Sequence, residues 1–114
     1  MTLMKIAAAL GITLMGSACA ANLEAGRKIF ETQCAACHGK DAKTPIDPAY
    51  PKLAGQYPDY LAIALTDYQS GARKNAIMAG MAKPLSKSDI QNLAAYLASL
   101  PGPLTTPTES RFAR

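Results

Sequence analysis

The residue types that can do chemistry are concentrated in one short segment, Cys34-Ala35-Ala36-Cys37-His38. Two thiols three positions apart can form a redox disulfide, contribute to a zinc site, or bond covalently to a haem. His38 follows the second thiol directly and is the only histidine among the 114 residues. Any site that needs an imidazole must therefore use His38.

Haem attachment is the use of this segment that gives all three side chains a purpose. Thiols at positions i and i+3 of a helical turn can bond to the two vinyl groups on one edge of a porphyrin, which places the next residue under the iron. The pattern C-x-x-C-H is typical of this c-type attachment. It predicts one covalently attached haem c, with Cys34 and Cys37 as the thioether residues and His38 as an axial ligand of the iron.

Three other uses of the thiols fit less well. A thioredoxin-like pair begins a helix that follows a strand in a βαβ unit, and no strand pattern precedes Cys34. A structural zinc site needs four ligands, so Cys34, Cys37 and His38 leave it one short unless a carboxylate contributes. A plain disulfide would close a small ring with little stabilising effect and would leave His38 without a purpose.

The second ring nitrogen of a ligating histidine is usually held by a carbonyl or carboxylate oxygen. Residues 39–58 include prolines at 45, 48, 51 and 58, which predicts a long, stiff loop directly after the motif. Pro51 lies in the middle of this loop, and we expect its carbonyl oxygen to accept a hydrogen bond from His38. The alternative is that Pro51 only shapes the turn.

The first twenty residues, 1–20, have the pattern of a secretory signal peptide. A single lysine precedes an uncharged apolar run over 6–16, which is too short to span a bilayer as a helix. Ala18 and Ala20 supply the small side chains of a cleavage site, so we expect export to the periplasm, an oxidising compartment. The alternatives are an N-terminal helix of the folded domain and a lipidated Cys19 that anchors the chain to the membrane.

Apolar periodicity predicts three helices and no strand, because no stretch alternates with a period of two. The predicted helices span 22–33, 59–70 and 86–100. Asn22 can cap the first helix and Gly71 can end the second. Ser86 and Asp89 have the form of a capping box for the third. The last dozen residues, 103–114, lack periodicity and predict a flexible tail.

Methionine is the side chain best suited to supply the second axial ligand. No second histidine exists, and a lysine must first lose a proton, which costs free energy at neutral pH. Removal of the leader leaves two of the five methionines, Met78 and Met81. Both lie in the segment 72–85, for which the sequence predicts irregular structure. The residues alone leave the choice between the two methionines open.

These motifs make the chain similar to class I cytochromes c, and more narrowly to one half of a two-haem cytochrome of the c4 type or to a single-haem c553-type relative. The similarity extends over nearly all of the chain after the leader. Its segments are Gly26 and Phe30, CAACHG at 34–39, PKLAGQ at 51–56, YLAIALTDYQSGAR at 60–73, MAGMAKPLS at 78–86 and DIQNLAAYL at 89–97. A two-haem member needs a second C-x-x-C-H, so the resemblance implies a single haem here.

The resemblance also implies an all-α, class I cytochrome c fold in which the N-terminal and C-terminal helices cross beside the haem. Gly26 and Phe30 of the first helix would then meet Leu93 and Tyr96 of the last. A glycine at such a crossing lets a second backbone come close. The cytochrome c domain would span 21–102.

In the c4 pattern the methionine ligand stands eight residues before the serine that opens the last helix. Counting back from Ser86 gives Met78 as the ligand, and Met81 then packs against the haem or its loop. The alternative assignment exchanges the roles of the two methionines. Arg73 is a candidate partner for a haem propionate.

Ligation by a histidine and a methionine leaves no open position on the iron, which suits electron transfer and hinders oxygen chemistry. The sequence therefore predicts an exported electron carrier rather than an enzyme, with redox proteins as partners. One alternative is a haem subunit of a larger enzyme, such as a flavoprotein dehydrogenase or a terminal reductase. The other is a gas- or peroxide-binding haem protein in which no methionine ligates the iron.

The chain is basic, with a formal net charge of +4. Six lysines flank the motif loop and the methionine segment: Lys40, Lys43, Lys52, Lys74, Lys83 and Lys87. They predict a positive surface that steers acidic partners, with ordinary solvated loop lysines as the alternative. Nucleic acid is not expected as a partner, because no helix carries a basic face interleaved with aromatic residues.

Overall fold

Helices form all the regular structure of residues 20–103, the part of the chain that the computed structural model describes. The elements are α1 (Leu23–Ile29), a π-helical turn (Phe30–Cys34), α2 (Ala35–His38), α3 (Pro58–Ser70), α4 (Ala76–Ala82) and α5 (Lys87–Ser99). The lack of strands in this range confirms the predicted all-α class. Apart from Ala20 and Pro103, the predicted leader and tail lie outside the described residues.

The first helical segment is longer than the sequence predicts, because it runs on from α1 through the π-helical turn into α2. Asn22 caps its start as expected, since the Asn22 side-chain oxygen accepts a hydrogen bond from the Ala25 N–H at 3.0 Å. The segment ends where Gly39 adopts a φ of +87°. A π-helical turn inserts an extra residue into the helix, so the apolar period is lost there and the predicted helix stopped too early, at 33.

The helices α1 and α5 cross at close range, as predicted. A Cβ atom on Gly26 would overlap the carbonyl oxygen of Asn92 and would lie 2.9 Å from the Cβ of Tyr96. The Phe30 ring is fully buried, and its centroid lies 5.8 Å from that of Tyr96. Leu93 is buried in the same core. This crossing fixes the helical segment that carries the two thiols.

The other two predicted helices occur close to their expected bounds. The helix α3 starts one residue earlier than predicted, at Pro58, and ends as expected where Gly71 takes a left-handed φ of +81°. The helix α5 follows the predicted capping box, in which Asp89 N–H donates to Ser86 Oγ at 3.0 Å and Ser86 N–H donates to Asp89 Oδ2 at 2.9 Å. Four residues of α5 are buried: Ile90, Leu93, Ala94 and Leu97.

The segment 72–85 is not irregular throughout, because it contains the helix α4. Asn75 caps this helix by accepting a hydrogen bond from the Met78 N–H at 3.0 Å. The prediction was wrong because α4 has only seven residues, and most of them are small. Such a short helix shows no clear apolar stripe, and contacts with the rest of the fold must stabilise it. Within the described residues, no helix has the length and apolar character needed to cross a membrane.

Candidate functional site

One cleft brings together the residues that the sequence singled out for chemistry. Its volume is about 270 Å³. It is lined by the end of the first helical segment, by the loop after the motif, and by residues of α3, α4 and α5. All the predicted site residues line it: Cys34, Cys37, His38, Pro51, Arg73, Met78 and Met81. The fold therefore gathers side chains that are up to 47 positions apart in the chain.

The two cysteines are free, half-buried thiols on one wall of this cleft. Cys34 ends the π-helical turn and Cys37 lies in α2, so a spacing of three places them one above the other on the same helical face. Burial raises the pKa of Cys34 to about 11, with a smaller contribution from the neighbouring Cys37. Cys34 is therefore protonated at neutral pH, unlike the low-pKa thiol of a redox pair.

The single histidine is buried, and one of its ring nitrogens is held by the motif loop. His38 is 7% exposed, and its Nδ1 lies 2.9 Å from the carbonyl oxygen of Pro51. Because a carbonyl oxygen can only accept, Nδ1 carries the hydrogen, and the neutral ring keeps its lone pair on Nε2. This is the tautomer that a metal-ligating histidine needs, with its second nitrogen fixed by a backbone oxygen.

Backbone hydrogen bonds fix the loop that presents Pro51. The carbonyl oxygen of Ala42 accepts from both Leu53 N–H, at 2.7 Å, and Ala54 N–H, at 3.0 Å. Ala42 is fully buried and has a φ of +58°, a left-handed conformation that is uncommon for a residue other than glycine. This role of Ala42 could not be predicted from the sequence, since an isolated alanine in a proline-rich loop belongs to no recognisable pattern.

The two methionines lie on the short helix α4. Met78 is in its first turn and is half-buried, whereas Met81 is 38% exposed. A spacing of three places both side chains on one helical face, and both line the cleft. Of the two residues, Met78 is the less exposed to solvent.

Aromatic and basic groups lie at the same cleft. The guanidinium carbon of Arg73 lies 5.2 Å from the ring centroid of Tyr68, a cation–π distance. The neighbouring Tyr60, and then Tyr68, raise the pKa of Arg73 above its ordinary value, so the side chain keeps its charge. A permanent cation here suits an anionic group such as a carboxylate. Among the six predicted lysines, Lys52 lines the cleft, and Lys74 lines the adjoining depression beside Arg73.

The rest of the lining is mainly aliphatic, which suits a large apolar group. The aliphatic residues are Ala49, Leu53, Leu61, Ala64, Leu65, Ile77 and Leu97. Phe30 and Leu93 are the large side chains that are fully buried among the described residues. A chain with so small a core gains much of its apolar burial from a group that fills the cleft. The cleft fits a covalently attached haem. It offers two thiols on one helical face, an imidazole whose Nδ1 is hydrogen-bonded to a backbone oxygen, a thioether and aliphatic walls.

One polar contact at the methionine side of the cleft was not foreseen from the sequence. The Nε2 of Gln69, on α3, donates to the carbonyl oxygens of Ala82 and Leu85, both at 2.7 Å. These carbonyls belong to the end of α4 and to the turn after it. Gln69 could not be recognised in advance, because a glutamine on a helix is usually an ordinary solvated side chain.

Comparisons with known proteins agree with this site. The cytochrome c family profile matches residues 23–101. The thiosulfate dehydrogenase electron acceptor of Thiomonas intermedia is 44% identical over 78 residues, which are 64% of this chain and 36% of that protein. Cytochrome c4 of Stutzerimonas stutzeri is 40% identical over 109 residues, which are 88% of this chain and 50% of that protein.

A solved structure shows the same architecture. The crystal structure of reduced recombinant cytochrome c4 from Pseudomonas stutzeri has a TM-score of 0.66 and 39% sequence identity, and the match covers 73% of this chain and 47% of that chain. The chain thus spans half or less of the length of these relatives. The family profile matches from α1 to the end of α5, and the C-x-x-C-H motif lies in the cleft, so the chain belongs to the cytochrome c family and binds haem c covalently.

Proposed function

We propose that the protein is a periplasmic electron carrier whose haem iron is bound by His38 and Met78. The observation that carries this proposal is the cleft in which Cys34, Cys37, His38 and Met78 meet. The hydrogen bond between His38 and the Pro51 carbonyl supports the histidine as a ligand, since it leaves the lone pair on Nε2. The greater burial of Met78 supports it over Met81.

The chain's residues would bind, orient and shield the cofactor. When bound, haem c supplies reversible one-electron oxidation and reduction of its iron. Cys34 and Cys37 hold it covalently, and Pro51 fixes the orientation of the His38 ring. The thioether of Met78 would serve as the second protein ligand of the iron and would thereby exclude oxygen and peroxide. The aliphatic walls of the cleft would keep water away from the metal.

The sequence of the first twenty residues supports the proposed periplasmic location. Their short apolar run and small-residue cleavage site support export through a signal peptide over 1–20. Attachment of haem to the two thiols after export would then complete the protein in the periplasm. Cys19 offers the alternative of a lipid anchor, which would tether the same domain to the membrane.

A second candidate function is that of a haem subunit in a larger oxidoreductase. It is supported by the relative that is described as an electron acceptor of thiosulfate dehydrogenase, at 44% identity. In this case the same cleft would accept electrons from one fixed enzyme partner instead of from a diffusing one. Native mass after gentle purification separates the two functions. A mass equal to the mature chain plus one haem favours the free carrier, and a larger stable complex favours the subunit.

Acidic surfaces are the partners we propose for this protein. Arg73, Lys52 and Lys74 lie at or beside the cleft, and all three are exposed. Positive side chains around the electron-exchange site attract a partner of opposite charge and speed its approach. Because salt screens such charges, the rate of electron transfer should fall as ionic strength rises. A rate that is the same at low and high salt contradicts this part of the proposal.

Spectroscopy of the purified protein tests the proposed function directly. We expect a low-spin haem that undergoes reversible one-electron reduction and whose ferrous spectrum does not change when carbon monoxide is added, because both axial positions are closed. A ferrous spectrum that shifts at once with carbon monoxide would instead indicate an open position, and so a gas- or peroxide-binding protein. Reduction that cannot be reversed would also count against an electron carrier.

A further inference from the structure

The side chain of Gln69, on α3, forms hydrogen bonds with the C-terminal end of α4 and the turn that follows it. Its Nε2 donates to the carbonyl oxygens of Ala82 and Leu85, both at 2.7 Å. We propose that Gln69 is a positioning residue for the methionine ligand, which it holds in place through α4. The inference rests on the proposed ligation of the iron by Met78, and it adds the group that keeps this ligand in reach.

Hydrogen bonds that involve a side chain and join distant positions of the sequence are few in the described residues. One joins Asn22 to Asn92 where α1 meets α5. Another is the contact between His38 and Pro51. Apart from these, the two bonds from Gln69 are the side-chain hydrogen bonds that join positions more than ten apart. The His38 ring thus has its own hydrogen bond to the backbone of the motif loop. The two methionines of the cleft have no such bond to the described residues, and Gln69 instead contacts the helix α4 that carries them.

The helix α4 depends on such a tether because it is short and weakly anchored. It has seven residues, including a central glycine, Gly80, and among them only Ala82 is buried. A helix of this length is not stable in isolation. Its N-terminal cap, from Asn75 to the Met78 N–H, is local and does not attach the helix to another element. Among residues 20–103, the bonds from Gln69 are therefore the polar attachment of α4 to another element of the fold.

The position of the tether explains how it can act on the ligand. Met78 is in the first turn of α4, and Gln69 holds the last residue of the helix and the turn after it. A seven-residue helix is about 10 Å long, and Met78 lies about one helical turn from Ala82, which Gln69 binds. When its C-terminal end is fixed, its N-terminal turn keeps its place, and the thioether stays within bonding distance. Groups that orient a metal ligand in this way typically change the site's affinity by about 10- to 100-fold when they are removed.

Competition by added imidazole for the sixth position of the ferric iron tests this role. Two holoprotein variants are needed, Gln69→Ala and Gln69→Glu. The glutamate has the same size but cannot donate when ionised, and it would place an oxygen against two carbonyl oxygens. We expect imidazole to bind about tenfold or more tightly to Gln69→Ala than to the wild type, and more tightly still to Gln69→Glu. The sulfur-to-iron band in the near infrared should weaken in the same order.

Matched controls separate positioning from general stability. Gln91→Ala removes a second exposed glutamine, on α5, and should leave imidazole binding unchanged. Asn22→Ala removes the cap of α1, far along the chain from α4, and should lower the midpoint of denaturation without a change in imidazole binding. Gln69→Lys restores a donor close to the carbonyls at the end of the helix, where a cation is also favoured, and should return imidazole affinity toward that of the wild type.

The outcomes distinguish this inference from the proposed ligation. If Met78→Ala loses the near-infrared band but both Gln69 variants bind imidazole as weakly as the wild type, the role of Gln69 is overturned and the ligation stands. If Met78→Ala keeps the band, the ligation itself is wrong, and the inference falls with it. If Gln69→Glu does not accumulate as holoprotein, the comparison of Gln69→Ala with Asn22→Ala decides. Equal imidazole affinities in those two variants overturn the role.

Discussion

The backbone of Gly26 in α1 lies directly against the carbonyl group of Asn92 in α5. A Cβ atom at position 26 would overlap that carbonyl oxygen and would also approach the Cβ of Tyr96 to 2.9 Å. Backbone faces backbone at this point, so neither partner can move aside without a shift of a whole helix. The crossing of the two helices therefore depends on the absence of a side chain at position 26.

Gly26→Ala should consequently destabilise the holoprotein by about 1–3 kcal/mol, the usual cost of forcing extra atoms into a packed contact. The free energy of unfolding, measured by denaturant titration of the ferric protein, checks this. Gly80→Ala is the matched control, because no atom lies within 4 Å of a Cβ at that position. It should stabilise the protein by about 0.5–1 kcal/mol, since alanine favours a helix over glycine. Equal effects of the two substitutions would contradict the close crossing.

Covalent attachment should depend on the two thiols of the cleft and not on the third cysteine. We expect acid–acetone to leave the haem on the wild type and on Cys19→Ser, and to extract it from the double variant Cys34→Ser with Cys37→Ser. Either single variant should keep at most one thioether bond, which shifts the absorption of the pyridine haemochrome. Release of haem from the wild type under this treatment would rule out thioether attachment.

Arg73 should raise the reduction potential of the haem. Its guanidinium lines the cleft, and a positive charge near the iron disfavours the ferric state, which is the more positive one. Arg73→Gln should lower the midpoint potential by an amount on the order of tens of millivolts, and less at high salt because the side chain is exposed. Lys28→Gln, which removes an equal charge from α1, should change it less. Equal shifts in the two variants would remove any special role for Arg73 at the haem.

The sequence predicted the parts of the fold whose signals are local. Ser86 and Asp89 marked the start of α5, and Gly71 marked the end of α3, because caps act on neighbouring backbone groups. The crossing of α1 and α5 came from the family resemblance and not from periodicity. The π-helical turn was missed because an inserted residue breaks the period on which the prediction relied.

The candidate site was predictable in its chemistry but not in its supports. The thiols and the imidazole are recognised by type and spacing, and the structure places them with both methionines in one cleft. Ala42 and Gln69 act on backbone groups that are more than ten positions away. Contacts of this kind depend on how separate elements meet, and no local pattern reports them. The helix α4 was missed for the same reason, since tertiary contacts and not propensity stabilise so short a helix.

Substitution can distinguish the two methionines of α4 as candidate ligands of the iron. Met78 and Met81 lie three positions apart on one face of α4, and both line the cleft. They differ in exposure, because Met78 is half-buried and Met81 is 38% exposed. A thioether bonded to iron is shielded by the cofactor and by the wall behind it, whereas a packing methionine at the rim can stay partly in water. The first turn of α4 is also fixed by the bond from the Met78 N–H to Asn75.

We therefore expect Met78→Ala to abolish the sulfur-to-iron band of the ferric protein and to open the sixth position to carbon monoxide in the ferrous protein. The midpoint potential should also fall, because methionine ligation raises the potential of a c-type haem. Met81→Ala should keep the band and its closed ferrous site, with a small loss of stability from the packing that it removes. The reverse pattern would assign the iron to Met81. If the band survives in both single variants, neither methionine is required for it on its own. The thioether that remains in each variant would then have to bind the iron in place of the one removed.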